Sequence, residues 1–220
     1  MQRVTDAPLS LRERKKRATR AALSEAALRL AAEHGAEHVT VEAISDAVGV
    51  SPRTFFNYFD SRDDAFTMID AESAQRVRDA VMAAPPAVSA LDAVTGALAD
   101  ELAQLGARQD VWALHAEVLR RSPDLLARTM GAHMADELEL AAAIARRVGA
   151  RRDGAARDGA ARDGASPDLY PHLLAAAAGT AVRVSVEHWS RHAGEEPLPA
   201  VFRGACAHLA AGLPDPPTGA

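Results

Sequence analysis

Apolar positions recur at three- and four-residue intervals along most of this chain, and hardly anywhere do they alternate. Leu23, Ala27, Leu30 and Ala31 share one face of a helix, which predicts an element from about Ser10 to Ala32. His34-Gly35 ends it, because glycine supplies the left-handed cap. Thr40 caps a short helix, Val41–Val48, which Gly49 terminates. Ser51-Pro52 restarts the chain at once, with serine as cap and proline at the first helical position, and this third helix runs to about Tyr58. Ser61-x-x-Asp64 is a near capping box that opens a long fourth helix to about Ala83, before Pro85-Pro86 breaks the chain. Further helices are predicted over 88–106, 109–121, 123–148, 168–192 and 198–212. Short connections between them suggest an antiparallel bundle.

Two stretches escape the pattern. Residues 1–9 read as disordered. Residues 152–165 repeat RDGA-ARDGA-ARDGA, with balanced charge and a glycine every fifth residue, so a flexible loop over about 149–167 is expected.

Composition sharpens the fold class. Aromatics are 4% of residues and alanine abounds, which favours helices over strands. The expectation is an all-α chain. Cys206 is the one cysteine, so no disulfide forms within the chain, as suits a reducing cytoplasm. No apolar run suggests a signal sequence or a membrane span, so a soluble cytoplasmic protein is expected. Net charge is −5, yet residues 1–60 hold nine Lys/Arg against eight Asp/Glu, so the acidity belongs to the remainder. Residues 12–20 concentrate Arg12, Arg14, Lys15, Lys16, Arg17 and Arg20 against Glu13. A basic end on an acidic body is expected where one module meets phosphate, although most charge runs are simply solvated faces.

The chemistry concentrates between Thr40 and Phe66. Two short helices separated by Gly49-Val50-Ser51 form a helix-turn-helix. Ile44, Val48 and Val50 would fill the wedge between them, and Phe55 and Phe59 would anchor the third helix from inside. The opposite face carries Arg53, Thr54, Asn57 and Tyr58, side chains suited to major-groove reading, and Arg62 follows where it can meet phosphate.

The stretch TVEAISDAVGVSPRTFFNYFDSRDDAF closely resembles the N-terminal signature of the TetR/AcrR regulators. The matching positions are Ile44, Ala47, Gly49, Val50, Ser51, Thr54, Phe55, Phe56, Tyr58, Phe59, Ser61, Arg62 and Asp63, and the resemblance covers about the first 66 residues. It implies an N-terminal three-helix DNA-binding domain (1–60) and a helical-bundle domain for ligand binding and dimerisation (61–220). It also implies a ligand-responsive repressor that binds a palindromic operator as a homodimer and is released by a small lipophilic molecule, the alternative being a ligand-dependent repressor or activator whose ligand tightens DNA binding. Arg53, Thr54, Phe56 and Asn57 would lie against bases, and Thr40, Tyr58 and Arg62 would hold phosphates. Phe56 stands where the family often has tyrosine, and Arg62 replaces the usual lysine. Glu42 either accepts from a cytosine amine or simply favours its helix N-terminus.

Enzyme signatures are missing: there is no glycine-rich phosphate loop, no G-x-S-x-G and no H-E-x-x-H. The reading is therefore not an enzyme, with no cofactor and no metal. His188 and His192 are four apart but lack a third ligand nearby, and Cys206 reads as a small buried hydrophobe. The partners expected are double-stranded DNA, a small-molecule effector and a second copy of the chain. Met68, Trp112, His115, Met130, His133 and Met134 are the candidates for a ligand cavity between bundle helices, against the alternative of ordinary core.

Overall fold

The computed structural model describes residues 11–67, 71–105, 109–157, 169–192 and 196–214. Among these residues every regular element is helical. Helices α1 (Leu11–His34), α2 (Val41–Val48) and α3 (Pro52–Phe55) come first. They are followed by α4 (Ala71–Ala83), α5 (Ala90–Leu105), α6 (Gln109–Arg121), α7 (Pro123–Arg157), α8 (Leu169–Arg191) and α9 (Leu198–Ala210). None of the described helices is long and apolar enough to cross a membrane. The chain divides into two compact units, Met1–Met68 with Glu117–Leu125, and Ile69–Ala116 with Leu126–Ala220.

In the first unit α1 packs on α2 and on two 3-10 turns, Ala36–His38 and Asp63–Phe66, while α2 packs on α3. Leu23, Ala27, Leu28, Ile44, Phe55, Phe59 and Phe66 form the buried interior. The expected capping box is present: the Ser61 N–H donates to Asp64 Oδ2 at 2.8 Å, and the Asp64 N–H donates to Ser61 Oγ at 3.3 Å. It does not open the expected long helix, however. It opens only the 3-10 turn, and Thr67 is already extended at φ −86°, ψ 122°. The turn carries Ala65 and Phe66 fully into the core, and that burial outweighs continued helical bonding. The α-helical part of α3 likewise ends at Phe55. Tighter bonds carry the chain on to Tyr58, from the Asn57 N–H to the Thr54 carbonyl at 3.1 Å and from the Tyr58 N–H to the Phe55 carbonyl at 2.9 Å.

In the second unit α5 packs against α4, α8 and α9, and α8 packs against α9. The core joins Val77 and Val81 of α4, Val94 and Ala97 of α5, Leu140, Ala141 and Ile144 of α7, and Leu174, Ala175 and Ala178 of α8. Its many alanines let helix backbones approach closely. Buried Arg147 of α7 ties down the chain break after α4. It donates to the carbonyls of Val81 (3.1 Å), Ala84 (2.6 Å), Pro85 (2.8 Å) and Val88 (2.8 Å). A cation there satisfies the last carbonyls of α4 and complements its dipole.

The loop expected from about 149 begins later. Helix α7 continues to Arg157, through the first repeat unit and into the second. Extending a formed helix costs little, and alanine and arginine are strong helix formers, which offsets Gly149 and Gly154. The remainder of that expected loop lies outside the described residues, as do residues 1–9.

Candidate nucleic-acid interface

The helix-turn-helix is assembled from caps. Thr40 Oγ1 accepts from the Ala43 N–H at 3.1 Å and starts α2. Gly49 ends it in the left-handed region, at φ 73° and ψ 34°, which a residue without Cβ adopts freely. The Gly49 and Val50 N–H groups donate back to the Asp46 and Ser45 carbonyls at 3.1 and 3.0 Å, closing the turn. Ser51 Oγ accepts from the Thr54 N–H at 3.1 Å and lies 2.9 Å from Thr54 Oγ1, so α3 starts one residue later.

So short a helix cannot hold itself, and three side chains brace it from behind. Phe55 and Phe59 are buried with ring centroids 5.0 Å apart. Arg20, reaching across from α1, donates to the Tyr58 carbonyl and lays its guanidinium over the Phe59 ring at 4.2 Å. Arg62 donates from Nη1 to the Val39 carbonyl at 3.0 Å and from Nε and Nη2 to Asp63 Oδ1 at 2.9 and 2.6 Å. It thereby ties the strand-like approach to Thr40 to the turn that follows α3.

The outward face is the result. Arg53, Phe56 and Asn57 are exposed together, and Thr40 is exposed at the start of α2. Thr54, Tyr58 and Arg62 are half-buried. Phe56 is 55% exposed and meets Phe55 only edge-on. An apolar ring held in water beside a guanidinium and an amide suits contact with a partner surface. Glu42 is exposed in the first turn of α2.

The expected ligand residues are not gathered into one lining. Trp112 and His115 are both buried in α6 and meet edge to face, with centroids 6.1 Å apart. Met130, His133 and Met134 are exposed on α7, in line with exposed Leu126 and Leu138 along one flank. His133 keeps an exposed edge, yet the protein around it removes enough water to lower its pKa, against the opposing charges of Asp136 and Glu137. Met68 lies outside the described residues. Burial raises the pKa of the Cys206 thiol, against a hydrogen bond with Thr95, so it stays protonated in the core. The His188 and His192 rings stack at 4.1 Å in an open groove of about 400 Å³ between α8 and α9, shared with Trp189, Val201 and His208. Among the described residues no group of three or more His, Cys, Asp or Glu is placed to hold a metal ion.

Residues 23–67 match the family model of the bacterial regulatory proteins of the tetR family, and residues 152–214 match the model of the MftR C-terminal domain. Residues 23–67 therefore carry a TetR-family helix-turn-helix segment. The HTH-type transcriptional regulator TcmR of Streptomyces glaucescens is 39% identical over 150 residues. That alignment spans 63% of this chain and 64% of TcmR, under two thirds of the relative's length. Among solved structures, the SmeT–triclosan complex matches with a TM-score of 0.56 at 18% identity, covering 92% of this chain and 100% of that one. The fatty acid degradation regulator FadR of Bacillus halodurans matches at 0.54 and 18%, covering 90% and 97%. These likenesses show the fold: a TetR-type helix-turn-helix head followed by a helical domain. The TetR family is one of regulators, not of enzymes.

Three structural devices escaped the sequence reading. The basic run suggested phosphate for Arg20, but the fold turns that side chain inward as a brace. Arg147 gave no local signal, because its four carbonyls lie about sixty residues away in the chain. The third is the Arg76–Glu101 ion pair between α4 and α5, in which Glu101 is buried and Arg76 also donates to Ser73 Oγ at 2.7 Å. Only the packing of two helices brings those charges together.

Proposed function

We propose that this chain is a ligand-responsive transcriptional repressor that binds a palindromic operator as a homodimer and is released by a small lipophilic molecule. The observation that carries the reading is the exposed set Arg53, Phe56 and Asn57 on a short helix whose other face is buried through Phe55 and Phe59. In this reading residues 1–60 read DNA and residues 61–220 bind ligand and dimerise. Arg53 pairs with guanine, Asn57 with adenine, and Phe56 and Thr54 touch thymine methyls or base edges. Thr40, Tyr58 and Arg62 hold phosphates, Arg62 through the N–H groups left beyond its three bracing bonds.

One recognition helix reads only a few base pairs. Two copies about 34–36 Å apart double the contacts and require a palindrome. The apolar stripe and open groove of α8 and α9 support pairing there. The effector enters beside Trp112 and His115, where apolar walls meet a polar tip, with Met68, Met130, His133 and Met134 as the further candidates. Effector binding changes the spacing of the two heads. A coupling of about 1–3 kcal/mol changes DNA affinity by about 5- to 150-fold. The protein works in the cytoplasm and needs no cofactor.

The test is footprinting of the purified chain on the DNA upstream of its own coding region and on duplexes selected from a random library. A protected palindrome bound by two copies is the expected result, with lipophilic compounds then screened for release. Monomeric or sequence-blind binding overturns the operator reading, and a compound that tightens binding overturns release.

A further inference from the structure

The groove between α8 and α9 holds a pair of side chains that neither the core nor the helix-turn-helix uses. His188 and His192 stand four residues apart on one face of α8, both exposed, with their rings stacked at 4.1 Å. Nδ1 of His192 lies 2.8 Å from the His188 carbonyl. A carbonyl only accepts, so Nδ1 carries the proton and Nε2 keeps its lone pair. A ring held in that way by a backbone carbonyl is the usual setting of a metal-binding histidine. The floor beside the pair is fixed: Trp189 is buried and donates from Nε1 to the Glu196 carbonyl at 2.9 Å, tying the end of α8 to the approach to α9. The far wall is α9, whose Val201, Gly204 and His208 line the same groove.

Two nitrogens bound at about 2.1 Å to one tetrahedral ion stand about 3.4 Å apart, and imidazoles stacked at this separation reach that spacing by a small turn of either ring. One chain supplies only these two donors, since among the described residues no third His, Cys, Asp or Glu joins them. We infer that His188 and His192 bind a divalent transition-metal ion of the zinc class, and that the same two histidines of a second copy fill its remaining positions. This rests on the pairing of two copies through α8 and α9 proposed above and adds an ion to it. In a two-fold interface the same patch lies on both sides, so a groove at its centre meets its own counterpart. Four neutral imidazoles suit zinc, copper or nickel, whereas magnesium and calcium prefer oxygen. The ion clamps the two chains and takes part in no chemistry, so metal supply sets how tightly they associate.

The tag-free full chain is stripped with a chelator, and its association is followed by sedimentation equilibrium with zinc, with magnesium or with neither. Metal analysis of the gel-filtered dimer is expected to find one zinc per two chains. Zinc at about 10 to 100 times its own Kd lowers the dimer dissociation constant by about 10- to 100-fold, and magnesium has no effect. His188→Gln/His192→Gln loses both the bound zinc and the tightening, and its unfolding midpoint checks that the fold is kept. His34→Gln/His38→Gln removes two other exposed histidines and keeps both responses. In a chain that dimerises, a zinc response that survives in His188→Gln/His192→Gln, one zinc per chain, or no response to zinc overturns the inference and leaves the pairing reading standing. A chain that stays monomeric with and without zinc overturns the pairing itself, and the metal site with it.

Discussion

The helix-turn-helix head and the second compact unit achieve order by opposite means. The head relies on a few large contacts made once each. Phe55 and Phe59 fill its interior, Arg20 and Arg62 cross between segments, and Thr40 and Ser51 start its two short helices. The second unit repeats small contacts along long helices, with alanines at Ala97, Ala141, Ala175 and Ala178 and one buried cation, Arg147, at the break after α4. A helix as short as α3 has too few internal bonds to persist alone, so its position is set wholly by what lies behind it. Long helices distribute the same task over many neighbours, and there single changes matter less. Exposed side chains can hold fixed positions on so short a helix only if its hidden face is unforgiving.

The largest effect expected is from Phe55→Ala, which removes the central brace and costs about 3–5 kcal/mol in chemical denaturation. Arg147→Ala follows at about 3 kcal/mol, because four carbonyls lose a charged donor. A greater loss for Arg147→Ala than for Phe55→Ala would reverse the comparison and make the second unit the brittle one. Arg53→Ala leaves denaturation unchanged within about 0.5 kcal/mol and lowers discrimination between a selected and a mixed duplex by about 1–3 kcal/mol. A matching loss on both duplexes would show that Arg53 holds phosphate. Thr40→Ala costs about 1 kcal/mol through removal of the α2 cap, read by denaturation without DNA.

The smallest effect belongs to the second unit. His133 has a folded-state pKa below its ordinary 6.5, because desolvation outweighs Asp136 and Glu137. The unfolded chain therefore takes up more protons as pH falls below that value, and stability declines with it. A small drop in Tm between about pH 7.5 and pH 5.5, absent in His133→Gln, is expected. An unchanged pH dependence in that variant would assign the drop elsewhere.

The sequence by itself determined the all-α class, the positions of most helices and the helix-turn-helix, because these rest on local physics. Periodicity fixes which face is buried, Gly49 needs no neighbour to adopt a positive φ, and Thr40 and Ser51 cap within three residues of themselves. It also pointed to Arg53 and Asn57 as outward-facing, since the anchors Phe55 and Phe59 leave them opposite, whereas Thr54 and Tyr58, read onto the same face, are half-buried. Other features were decided only by tertiary structure. The capping box at Ser61 formed as written, but burial of Phe66 cut its helix to a turn. The basic run was visible, but only packing assigned Arg20 to a carbonyl and a ring. The methionines of α7 read as candidates for a ligand cavity, and only the fold placed Met130 and Met134 on an exposed flank. In each case the deciding partner lies far off in sequence or on another element, and an interaction between distant residues leaves no trace in local pattern.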